Sequence, residues 1–69
     1  MSNFRLQLIS ESSVTYEFED IRSLKDLSDG VVREGYLTFE GISNRLGNAN
    51  QGTIRQTVFA ANIARIVER

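Results

Sequence analysis

The chain has 69 residues and a mass of 7.8 kDa, room for one domain spanning 1–69. It is 41% hydrophobic and 25% charged with a formal net charge of −1, the composition of a folded globular domain and not of a disordered chain. Its apolar runs are only a few residues long, so neither a membrane span nor a signal-peptide core is expected, and the expected location is cytoplasmic.

The missing residue types narrow the chemistry. There is no His, Cys, Pro or Trp. Without Cys there is no disulfide framework, no thiolate nucleophile and no zinc site of the usual kind. Without His, no side chain has an unperturbed pKa near neutrality, and a serine nucleophile lacks its usual base. Acid–base work would fall to carboxylates such as Glu17, Glu19, Asp20 or Glu40, whose spacing gives no converging pair. The expectation is a protein that is not an enzyme and needs no cofactor or metal. A domain this small draws only ~3–5 kcal/mol from its own core. With disulfides and metal set aside, self-association or a larger partner is the expected supplement.

In chain order, Phe4-Arg5-Leu6-Gln7-Leu8-Ile9 alternates apolar and polar residues, as a half-buried strand does. Ser10-Glu11-Ser12-Ser13 interrupts it, and Val14-Thr15-Tyr16-Glu17-Phe18-Glu19 alternates again. The pair reads as a β-hairpin. Asp20 is a good helix N-cap, Ile21, Leu24 and Leu27 follow at helical spacing, and Gly30 suits a left-handed stop. Tyr36-Leu37-Thr38-Phe39-Glu40 then reads as a strand, with Val31 and Val32 as a possible extension and Gly35 as a bulge. Phe18 and Phe39 fit the core better than a base-stacking platform with Tyr16 and Tyr36, because each sits in a regular apolar alternation.

Residues 44–52 are rich in Asn and Gly and read as an exposed loop, whose glycines match no phosphate-cradling pattern. Thr53 to Ala60 reads as extended, Asn62 and Ile63 as a bend, and Ala64 to Glu68 as a last strand. The alternative for residues 42–58 is a helix–turn–helix-like segment with Thr53 opening a recognition helix. Against it, a helix over Ile54 to Val67 would carry no single apolar stripe, since Ile54, Val58 and Ala61 fall opposite Phe59, Ile63 and Ile66.

Charge is uneven along the chain. Residues 1–40 carry eight acidic and four basic side chains, a net of −4, whereas residues 41–69 carry one acidic and four basic, a net of +3. Such a dipole suits docking of one copy on another, or a nucleic-acid backbone tracked by the basic half.

The expected architecture is α+β: a small antiparallel sheet or partly closed β-barrel of four to five strands with one short helix, in ββαβββ order. The expected function is a small non-catalytic interaction or adaptor module. It would self-associate or bind a protein partner through an exposed sheet edge or the polar 44–55 region. A nucleic-acid-binding regulator is the second choice. The candidate binding residues are Arg45, Asn48, Asn50, Gln51 and Arg55, an exposed set rich in hydrogen-bond donors.

Overall fold

In the computed structural model, residues 1–44 and 52–69 are described. Their elements are β1 (Ser2–Leu8), β2 (Thr15–Asp20), α1 (Leu24–Glu34), β3 (Tyr36–Ser43), β4 (Ile54–Phe59), a one-turn 3-10 helix at Ala60–Asn62, and β5 (Ile63–Glu68). The strands form one antiparallel sheet in the order β4-β3-β2-β1-β5, curled into a half-barrel. The ββαβββ order and the antiparallel sheet agree with the sequence reading.

The hairpin forms as its alternation requires. β1 and β2 pair from Ser2↔Asp20 to Gln7↔Thr15, and Phe4, Leu6 and Leu8 face Tyr16 and Phe18 on the inner side. Phe4 and Leu6 are fully buried. Phe18 bridges two rings, with centroids 5.6 Å from Phe4 and 4.7 Å from Phe39, so one aromatic file joins β1, β2 and β3. The turn closes through Val14 N–H on the Glu11 carbonyl (3.0 Å), while the Tyr16 hydroxyl donates to the Glu11 carboxylate (3.0 Å).

The helix differs from the sequence reading at both ends. Asp20 is not the N-cap: it ends β2, and its carboxylate accepts from the Arg22 backbone and guanidinium at 2.9 Å each. Capping falls to Ser23, whose Oγ accepts from Asp26 N–H at 3.1 Å. Nor does the helix stop at Gly30, which is buried in its interior near Arg22. Val31 and Val32 belong to the helix and not to β3. Leu27 and Val31 share one face and pack on the core, so tertiary burial carries the helix past Gly30 to Glu34. Gly35, expected as a bulge, is the C-cap: at φ 86° it donates its N–H to the Val31 carbonyl (2.8 Å), a conformation that disfavours side chains.

β3 is shared between two halves of the sheet. It pairs with β4 along its whole first part, Tyr36↔Phe59 to Gly41↔Ile54, but with β2 only from Phe18↔Gly41 to Tyr16↔Ser43. The strand leaves β2 at Gly41, where a Cβ would collide with the Glu17 carbonyl oxygen. Only glycine lets the two backbones approach so closely while the sheet curls.

Ile54–Phe59 and Ile63–Glu68 are strands, as preferred from sequence, while the loop expected over residues 44–52 lies mostly outside the described residues. The helix–turn–helix arrangement does not form: residues 42 and 43 end β3, and Ile54–Phe59 is strand where a recognition helix would have begun. The physical reason is the one-sided burial of β4, with Val58 packed into the core and Phe59 beside it facing outward. The chain then crosses from one margin of the sheet to the other through only Ala60–Asn62. Asn62 anchors that crossing: its carbonyl accepts from Ile9 N–H (2.7 Å), its Oδ1 from Ser10 N–H (3.0 Å), and its Nδ2 donates to Ser10 Oγ (2.9 Å).

Candidate interaction surface

Burial of alternate residues leaves the other half of each strand on the convex face. Arg5, Glu17 and Arg69 meet there: Glu17 accepts from Arg69 Nη1 at 2.7 Å and faces Arg5 Nη2 at 3.5 Å, tying β2 to β1 and the end of β5. All three are about half exposed, so each pair adds at most ~1 kcal/mol. Where β3 parts from β2, an open groove of about 510 Å³ lies among Glu19, Glu40, Ile42, Glu17 and Arg69. A second, apolar groove of about 230 Å³ runs between α1 and β5, lined by Val31, Val32, Ala60, Ile63 and Ile66.

The two margins of the sheet differ in regularity. Ala60 N–H donates to the Gly35 carbonyl (2.9 Å), one step beyond the Tyr36↔Phe59 pair. Antiparallel pairs alternate, so Val58, Gln56 and Ile54 turn their backbone groups toward β3, and Arg55, Thr57 and Phe59 turn theirs to the free edge. On β5, Arg69 N–H donates to the Asn3 carbonyl (2.8 Å), which by the same rule sends the groups of Ile66 and Glu68 outward. The β5 ladder shifts register between Gln7 and Leu8, whereas that of β4 is uniform. Among the described residues neither margin is paired with a further strand.

Of the five residues expected to bind a partner, Arg45, Asn48, Asn50 and Gln51 lie outside the described residues. Arg55 is exposed on the convex face of β4, directly across from Glu40. Beside it stand Thr57, whose Oγ1 is 2.7 Å from Thr38 Oγ1, and Phe59, opposite Tyr36. Phe59 is 65% exposed and Tyr36 45%. The sequence reading passed over this pair. Its signal was the adjacency of Val58 and Phe59: on a strand two neighbouring apolar residues cannot share one face, so one of them must face outward.

The perturbed titrations lie away from this surface. The hydrogen bond from Arg22 holds the Asp20 carboxyl below its ordinary range and raises the guanidinium in turn, and Asp29 raises Lys25 across one helical turn. Among the described residues no three acidic side chains converge as metal ligands would, and no helix is long and apolar enough to cross a membrane. No known protein family, curated protein sequence or solved structure matches the chain.

Proposed function

We propose that this protein is a small, non-catalytic association module, cytoplasmic and self-associating, that joins another chain through a free edge of its sheet. The observation that carries the reading is the β4 margin. Three consecutive outward-turned backbone positions, Arg55, Thr57 and Phe59, have no strand beside them among the described residues, and they are flanked by exposed aromatic rings. Edges of this kind are blunted by bulges, prolines or covering loops where a protein works alone, and they accept a strand where it does not. Binding nucleic acid through a helix–turn–helix has lost its recognition helix. On the convex face Arg5 and Arg69 are paired with Glu17, which offsets part of their positive charge.

Sedimentation equilibrium across a range of protein concentrations tests this. A mass rising above 7.8 kDa with concentration is the expected result, and a mass constant at one chain overturns the self-association.

A further inference from the structure

We propose that the partner at this edge is a second copy of the chain, paired β4 to β4 and antiparallel, in a register centred on Thr57. The proposal rests on the self-association reading and specifies its geometry. Because Arg55, Thr57 and Phe59 carry the outward backbone groups, a ladder between two copies must join these residues to one another. In the register centred on Thr57, each of those residues finds a partner. Thr57 meets Thr57 of the second copy, and Arg55 lies opposite Phe59 of the second copy at both ends.

The side chains are self-complementary in that register. Glu40 is already across from Arg55, and Tyr36 across from Phe59. Each outer rung therefore reads Glu40, Arg55, then Phe59 and Tyr36 of the second copy, with the guanidinium between a carboxylate and an aromatic face. The central rung extends the Thr38–Thr57 hydroxyl contact through Thr57 and Thr38 of the second copy. Moving the centre to Gln56 puts Phe59 against Thr53 and Arg55 against Thr57. A centre at Val58 carries Arg55 past the end of the partner strand.

Pairing β4 with β5 is disfavoured by the faces involved. Opposite residues of a ladder share a face, yet Thr57 is on the convex side and Ile66 packs against the core. That joint would set the helix side of one copy against the outer side of the next. The β4–β4 joint makes one continuous sheet with both helices on the same side.

The test exchanges the two side chains. Phe59→Arg sets like charges opposite each other at both ends, and since Phe59 is exposed the monomer fold is untouched. Sedimentation equilibrium is expected to give twice the chain mass for the wild type, association weakened about tenfold or more for Phe59→Arg, and recovery in the double variant Arg55→Phe/Phe59→Arg. A wild-type dimer that Phe59→Arg leaves intact overturns this register while self-association stands; a wild type that stays at one chain mass overturns both. Thr57→Cys gives an independent check. The chain has no cysteine, so any disulfide joins two copies, and rapid symmetric cross-linking under mild oxidation is expected. A dimeric protein whose Thr57→Cys variant fails to cross-link also overturns the register.

Discussion

The first hairpin and the last two strands use similar residues to opposite ends. β1 and β2 bury every second side chain, with Phe4 and Leu6 wholly out of water, and they form the centre of the sheet. β4 and β5 form its margins: β4 fully buries only Val58, and β5 buries no residue completely. The first pair makes the core, whereas the second closes over it and leaves large apolar side chains such as Phe59 and Val67 in solvent. Central strands are thus constrained on one face and both edges, marginal strands on one face and one edge.

That contrast predicts a steep difference in mutational cost. Leu6→Ala empties a fully enclosed site and should cost about 3–5 kcal/mol, enough to unfold a domain of this size in thermal or urea denaturation. Ile66→Ala, at the half-buried equivalent on β5, should cost about 1–2 kcal/mol and leave the protein folded. Equal losses at the two sites would remove the distinction between core and margin.

Gly41→Ala probes the point where the two halves part. The added methyl meets the Glu17 carbonyl and the Phe18 Cβ, so β2 and β3 must separate. A loss of about 2–3 kcal/mol in denaturant midpoints is expected, with faster hydrogen exchange concentrated at the β2–β3 ladder. Unchanged stability would mean the sheet bends elsewhere.

Smaller effects sharpen the picture at the crossing between the margins. Asn62→Ala removes the two side-chain hydrogen bonds to Ser10 and should cost about 1–2 kcal/mol, with exchange protection lost first in β5. Protection lost instead in β1 and β2 would put the weak point in the hairpin. The smallest effect is electrostatic. Arg22 lowers the Asp20 pKa in the folded state, so the pair stabilises fully above the ordinary carboxylate range and is lost as pH falls through the lowered value. Asp20→Asn should therefore cost less than about 1 kcal/mol at neutral pH, and in acid titrations of stability its difference from the wild type should vanish as pH falls below about 4.

The hairpin was legible because two runs alternate without a break and only four polar residues lie between them. The helix was legible as a helix but not in its limits. Asp20 and Ser23 are both good caps, and residue type alone does not choose between them. Arg22 does, by engaging the Asp20 carboxylate and leaving Ser23 to meet Asp26. Likewise Gly30 and Gly35 are equivalent as stop signals until Leu27 and Val31 find the core, which extends the helix through the first glycine to the second. Of the candidate binding residues, Arg55 was recognisable as an exposed donor, but its neighbours were not: Tyr36 and Phe59 are 23 positions apart in the chain and meet only through the β3–β4 register.

Composition and alternation alone were enough for the class of fold, the hairpin and the exclusion of His- and Cys-based chemistry, because these follow from which side chains exist and how they are spaced. The order of strands, the curl at Gly41, the two margins and the meeting of Tyr36 with Phe59 arise only on folding. Each depends on contacts between residues distant in sequence, whose free energy no local segment contains.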